Sequence, residues 1–306
     1  MNNYTKNVNK YLDYCENQRR LNPKTIRAYK TDLHQLTDAI PSNKLSEITS
    51  AKLEAYIKVL HKRYKPKTVK RKIASIKAFF NYLEYREIIR SNPCGRIRLK
   101  FREPVTLPRT IPLDTIRKIL SVIYSQIKNG KTLYRKRNAV RDAAVCELLF
   151  ATGIRIFELC ALSPLDIDLR EDTVFIKGKG AKERILQIGN KQVHDTLVYY
   201  SNTYAGEITQ SKHFFANQNG NPFSDQAVRR MLNYYTKLSG IKQHITPHMW
   251  RHTFATSLLE ADVDIRYIQE MLGHSSIHVT EIYTHVSMSK QKYILCNKHP
   301  RNDFVI

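Results

Sequence analysis

TPHMWRHTFAT, residues 246–256, reads as the start of a helix. Thr246 suits the N-cap and Pro247 the first helical position, where a missing N–H costs nothing. His248 and Arg251 are three apart and share a face near that helix start. A helix start has partial positive charge and free N–H groups, which suit a bound phosphate. The same field opposes an imidazolium, so His248 is expected to stay neutral and serve as a base. His248 and His252 have the i, i+4 spacing of a zinc pair, but Met249 stands where a zinc protease needs Glu. No metal is therefore expected. A packed structural histidine remains a reading for His252.

Two neighbouring segments carry further chemistry. In LGHSSIHVTEIYTH, residues 272–285, Gly273 is expected to end a helix capped by Asp264, His274 follows at once, and Tyr283 lies nine residues on. In ATGIRIFEL, residues 151–159, Arg155 and Glu158 fall on one helical face, which alone reads as an ordinary surface ion pair. Between these segments, residues 165–188 switch to a period of two. Val174 and Ile176, then Ile185 and the residues around Ile188, flank the turn GKGAK and predict a small antiparallel sheet. That turn lacks the spacing of a phosphate-binding P-loop.

The rest of the chain is mainly helical in pattern. PKTIRAYKTDLHQL places Ile26, Tyr29, Leu33 and Leu36 at helical spacing, and a second helix after Ser50 carries Leu53, Ile57 and Leu60. A third starts at Pro66. Val69, Ile73, Ile76, Phe79, Phe80 and Leu83 form its apolar stripe, while Lys67, Lys70, Arg71, Lys72 and Lys77 mark the face expected to meet solvent or phosphate. Residues 91–112 hold four prolines and one glycine without helical period, as an extended interdomain connection would. Ile116, Ile119, Leu120 and Ile123 then resume a helix, the basic KNGKTLYRKRN follows at 128–138, and AVRDAAVCELLFATG reads as an apolar helix stopped near Gly153.

Composition narrows the partner. The 306 residues include 51 Lys and Arg against 27 Asp and Glu, a net charge of +24. Solubility asks for only about 2–8 in a small domain, so a polyanion is the expected partner. No apolar run approaches the roughly 20 residues needed to span a bilayer, and the N-terminus lacks the apolar core of a secretory signal. Cys15, Cys94, Cys146, Cys160 and Cys296 are scattered and form no C-x-x-C pair. Reduced thiols in a cytoplasmic protein are expected, with no membrane association.

Taken together, the order Arg155, His248-x-x-Arg251, His274, Tyr283 and its flanking residues resembles the tyrosine recombinase (phage integrase) family, most closely its Xer and phage or transposon integrase types. The resemblance spans most of the chain. It implies a helical, SAM-like core-binding domain over 1–100, a linker over 101–112, a mixed but mostly helical catalytic domain with a small antiparallel sheet over 113–290, and a tail over 291–306 that docks on a neighbouring protomer. It implies Arg155 and Arg251 as phosphate clamps, supported by Glu158, His248 and His274, with Tyr283 as nucleophile. It also implies that the β-hairpin lysine in VFIKGKGAKER is catalytic, which falls on Lys179. Lys67, Lys70, Arg71, Lys77, Lys177 and Lys182 are the expected DNA contacts. Implied partners are double-stranded DNA with a specific site and a homo-tetramer holding two such sites; no cofactor is implied. Phe157 stands where relatives often carry a small residue, and the basic stretch at 128–138 is longer than usual. Three other readings remain: a type IB topoisomerase with the same chemistry, a non-catalytic DNA-binding protein, and a metal-dependent nuclease, for which no clustered carboxylates are found. Tyr267 and Tyr293 are the competing nucleophiles.

Overall fold

The computed structural model describes residues 3–42, 44–95, 97, 109–177, 183–273 and 288–304. The chain forms two compact units, Met1–Thr106 and Leu107–Ile306.

The first unit is built from α1 (Asn3–Asp13), α2 (Pro23–Ala39), α3 (Ser50–Arg63) and α4 (Pro66–Tyr85). The Asn22 side chain caps α2 by accepting from the Lys24 N–H, and Thr49 caps α3 through Lys52. The whole expected stripe of α4, from Val69 to Leu83, is buried against Leu33 and Leu36 of α2 and Leu53, Ile57 and Leu60 of α3. Helix α1, for which the sequence pattern gave no boundary, adds Val8 and the tyrosines Tyr4 and Tyr11, whose rings pack on Phe79.

One expected surface cation lies inside. Lys72 is 3% exposed, and its ammonium donates to Asp32 at 2.9 Å and to Gln35. Arg71 and Ser75 also donate to Asp32, which is itself buried. A buried carboxylate needs such partners to remain charged, and α4 supplies all three. Lys77 donates to the Ile97 carbonyl at 2.7 Å and so fastens the chain beyond Cys94 to the unit.

The second unit comprises α5 (Leu113–Asn129), α6 (Leu133–Thr152), α7 (Ile156–Ala161), β1 (Ile167–Asp168), β2 (Thr173–Lys177), β3 (Glu183–Gln187), α8 (Lys191–Thr203), α9 (Ala205–Ser211), α10 (Asp225–Leu238), α11 (Pro247–Glu260), α12 (Ile265–Leu272) and α13 (Met288–Lys298). Its axis is α6, buried on every side from Ala139 to Thr152, as befits a helix surrounded by others. Ile116, Ile119, Leu120 and Ile123 of α5 are all 0% exposed in the same core. Ile111, which the sequence placed in the linker, is buried here, and its N–H donates to Thr253. The basic stretch at 128–138 covers the end of α5, a short connection over 130–132 and the first turns of α6. There Arg137 donates to Glu207 and to the Thr203 carbonyl.

The sheet has order β1-β2-β3, antiparallel throughout. Its register corrects one expectation. Val174 pairs with Leu186 and Ile176 with Arg184, so Leu186 and Arg184 share the inner face with those apolar residues. Ile185 is outward and 41% exposed. Alternate residues of a strand face opposite sides, so this register brings an arginine inward.

The end of the chain, expected to dock on a neighbouring protomer, packs from Ile294 to Phe304 on its own unit in this single chain. Ile294, Leu295, Pro300, Arg301 and Phe304 are buried. Arg301, 1% exposed, donates twice to Glu147 of α6, at 2.7 and 2.8 Å. His299 donates from Nε2 to the Phe150 carbonyl, and its Nδ1 accepts the Arg301 N–H. Gly189 is approached so closely by Leu295 and Cys296 that a Cβ there would sit 2.7 Å from backbone.

Arg301→Ala will strand Glu147 in the core and lower the unit's stability by about 3–5 kcal/mol, whereas replacing both with methionine recovers most of it; urea unfolding of the full chain measures both. Burial pushes His299 down from 6.5 to about 4. The unfolded chain therefore binds the extra proton first as pH falls. Its contribution is complete above 6.5 and lost progressively toward about 4, amounting to about 3 kcal/mol at 1.36 kcal/mol per unit. His299→Gln flattens the stability curve in that window.

Candidate active site

The site is assembled where two helices end. Helix α6 stops at Gly153, whose φ of +60° is left-handed and whose Cβ, if present, would lie 2.4 Å from the Phe254 ring. Helix α12 stops at Gly273 in the same conformation, with Asp264 capping its start through the Arg266 N–H. Carbonyls at a helix end lack helical partners and carry partial negative charge. Arginines take them. Arg251 donates from Nη1 to the Gly153 carbonyl at 2.7 Å and from Nη2 to the Leu272 carbonyl at 2.6 Å. Arg155 donates from Nη2 to the Gly273 carbonyl at 3.3 Å. Arg184 donates from Nε to the Met271 carbonyl at 2.9 Å. Three successive carbonyls thus receive three different arginines.

A carboxylate joins two of them. Glu158, in the first turn of α7, has a fully buried side chain. It accepts from the Arg155 backbone N–H and Nη1, each at 3.0 Å, and from Arg184 Nη1 at 3.1 Å and Nη2 at 2.8 Å. Burial opposes its charge, yet the bonds from Arg184 and Arg155 outweigh that and hold the carboxyl below its usual range. Burial, with repulsion from Arg155 and Arg184 only partly offset by Glu158, pushes Arg251 down to about 9. It remains protonated at neutral pH. Among the described residues, the cluster sets three guanidiniums against one carboxylate, which bonds two of them. The cluster carries positive charge that an anion would relieve.

Arg155, Glu158 and Arg251, singled out separately from the sequence, are brought together. The Arg155 side chain is 26% exposed and so open to a ligand, while Arg251 is 6% exposed. His248 lies exposed at the second position of α11, whose N-cap is Thr246 and first residue Pro247, as the sequence predicted. Lys179, Lys182, His274 and Tyr283 lie outside the described residues. Of the competing tyrosines, Tyr267 packs against the core and Tyr293 is 55% exposed. Lys177 is largely exposed and pairs with Asp166 at 3.1 Å. On the first unit Lys67, Lys70 and Arg71 are exposed and Lys77 half-buried. Phe157 is 44% exposed on α7.

Arg184 was missed by the sequence reading. The signal was available in the strand parity: once Leu186 and Ile188 face inward, Arg184 must as well, and an inward arginine requires a buried acceptor. Among the described residues no three His, Cys, Asp or Glu side chains cluster as metal ligands would, and no helix is long and apolar enough to cross a membrane.

Residues 113–290 match the phage integrase family, and residues 8–87 match the phage integrase N-terminal SAM-like domain. The chain belongs to the phage integrase family. It is a Xer-like tyrosine recombinase, an enzyme that breaks and rejoins DNA. It is 60% identical over 304 residues to a tyrosine recombinase of Agathobacter rectalis, with 99% of both chains covered. It is 31% identical to tyrosine recombinase XerC of Alcanivorax borkumensis, covering 98% of this chain and 95% of the relative. In fold it is similar to a lambda integrase tetramer bound to a Holliday junction, with TM-score 0.69, 18% identity, and 90% and 75% coverage of this chain and that one.

Gly153→Ala tests how strictly the recombinase cluster depends on its helix ends. Left-handed strain and overpacking against Phe254 each cost about 1–3 kcal/mol. Calorimetry will show a lowered Tm, and DNA cleavage by the folded fraction will also fall, because the carbonyl that holds Arg251 moves.

Proposed function

We propose that this recombinase carries out site-specific strand exchange through a 3′-phosphotyrosyl intermediate, with Tyr283 as nucleophile. The observation that carries this reading is the arginine cluster, in which Arg155 and Arg251 are preset by helix-end carbonyls and short of an anion. Attack on a phosphodiester builds negative charge on the non-bridging oxygens. Planar, permanently charged guanidiniums match those oxygens in pairs. Losing one preorganised donor of this kind costs about 2.7–4 kcal/mol of barrier.

A tyrosine of ordinary pKa is ionised to roughly one part in a thousand at neutral pH, a deficit of about 4 kcal/mol. His248 accepts the Tyr283 proton as the Oη–phosphorus bond forms. The bond from phosphorus to the 5′ oxygen breaks, and Lys179 gives that oxygen a proton. The bond energy is kept in the phosphotyrosine, so a 5′-OH from a second duplex reverses the step on a new strand. No nucleotide or metal enters the balance.

The partner is double-stranded DNA with a specific site, contacted also by Lys67, Lys70, Arg71, Lys77, Lys177 and Lys182. Exchange between two sites needs four protomers, and the similar lambda integrase in its tetramer on a Holliday junction supports that arrangement.

Tyr283→Phe removes one hydroxyl and almost no volume, so it will abolish the covalent adduct and leave DNA binding intact. Lys179→Ala will be slow on ordinary DNA and recover on DNA whose 5′ bridging oxygen is sulfur, since a thiolate leaves without a proton. Peptide mapping of the adduct decides the nucleophile: a phosphotyrosyl bond on Tyr267 or Tyr293 overturns the assignment.

A further inference from the structure

We infer that Arg184 is a positioning residue for cleavage: it fixes Glu158, and through Glu158 it sets Arg155, so that the β2–β3 hairpin and the phosphate clamp are held as one piece. The inference rests on the reading that Arg155 binds the scissile phosphate.

The geometry is specific to this side chain. Arg184 sits on β3, on the inner face of the sheet, paired across the strands with Ile176. Its side chain is 10% exposed. Both terminal nitrogens engage the two oxygens of Glu158, a bidentate pair whose planar fork a lysine cannot reproduce. Its Nε engages the Met271 carbonyl on α12. Arg184 therefore joins three elements: β3, α7 and the end of α12.

Arg155 depends on the same groups. It holds Glu158 by its own backbone and one nitrogen, and Gly273 by the other. Glu158 alone could swing about its side-chain torsions. With Arg184 on both oxygens it cannot, and the Arg155 guanidinium inherits that rigidity. Even Gly273 is shaped by this contact, since a Cβ there would approach Arg184 Nη1 to 3.0 Å. Arg251 reaches Leu272 between the other two carbonyls but does not touch Glu158 through any of its described hydrogen bonds. Loss of Arg184 should therefore loosen Arg155 more than Arg251.

The hairpin gives the coupling its consequence. β2 and β3 flank residues 178–182, which include Lys179. The strand that follows those residues in the chain, β3, is thus the strand that sets the clamp. A one-residue change of β3 register would withdraw Arg184 from Glu158.

The test uses the full-length chain and a nicked duplex that traps the covalent adduct in a single turnover. Arg184→Ala, Arg184→Lys, Arg155→Ala and the double Arg155→Ala/Arg184→Ala variants are compared for DNA affinity, Tm and adduct rate. Misplacing a reacting group by about 1 Å costs on the order of a hundredfold. Arg184→Ala should accordingly form adduct about 10–100-fold more slowly at unchanged DNA affinity, with Arg184→Lys between it and the parent. Sulfur at the 5′ bridging position should rescue neither variant. The double variant should be no slower than Arg155→Ala, because both changes remove one function.

A merely structural Arg184 would lower Tm yet leave the adduct rate of the folded protein within about twofold of the parent, or would multiply with Arg155→Ala; either result overturns the inference. If Arg184→Ala does not fold, Arg184→Lys decides alone by the same rate criterion. If Arg155→Ala itself forms adduct at the parental rate, the clamp reading fails, and that outcome is distinct from a failure confined to Arg184.

Discussion

Glu158 is a carboxylate with no exposed side-chain surface, and it stays charged because Arg155 and Arg184 surround it. Removing either arginine would leave a buried charge half-satisfied, which is far more costly than the pair is favourable. Everything at the candidate active centre follows from that constraint. The bidentate contact requires Arg184 to face inward, which fixes the register of β3. Charge excess requires acceptors beyond Glu158, and two helices ending in left-handed glycines provide them. On the proposed reading, the arginines are thereby aimed before any DNA arrives. Little reorganisation is left for the reaction itself, which is what electrostatic catalysis needs.

The same device appears in the first unit without any catalytic role. Asp32 gathers Arg71, Lys72 and Ser75 from α4 and so ties α2 to α4. A protein with a +24 charge must prevent its many cations from choosing the wrong acid. Burying a few carboxylates, each committed to named partners, settles which cations each of them takes. Breaking such a buried pair by removing one partner is costly, because it leaves the other charge uncompensated.

Local signals were the legible ones. Helix starts at Pro23, Ser50, Pro66 and Pro247 were readable because caps and prolines act within one turn, and the α4 and α5 stripes because burial repeats every three to four residues. The order of Arg155, His248 and Arg251 pointed to one site although their spacing did not. What escaped was pairing over distance. Lys72 looks like a surface charge until Asp32, forty residues earlier, is found beneath it. Arg301 finds Glu147 across 154 residues. Arg184 was hidden by parity, since taking Ile185 as the inward residue turns Arg184 to solvent. Charge patterns along a chain report exposure only when no buried opposite charge awaits them.

Helix α6 has one further consequence. Its 20 residues rise about 30 Å, from the Gly130–Thr132 connection to Gly153, and its middle is wrapped on all sides. The far end carries Leu133 and Tyr134, both well exposed, among the basic residues of that connection. Cargo joined there, whether a fluorophore, an affinity handle or a fused domain, would ride a full helix length from the arginines. The molecule thus offers an engineer a point of attachment insulated from its chemistry by a rigid spacer of its own.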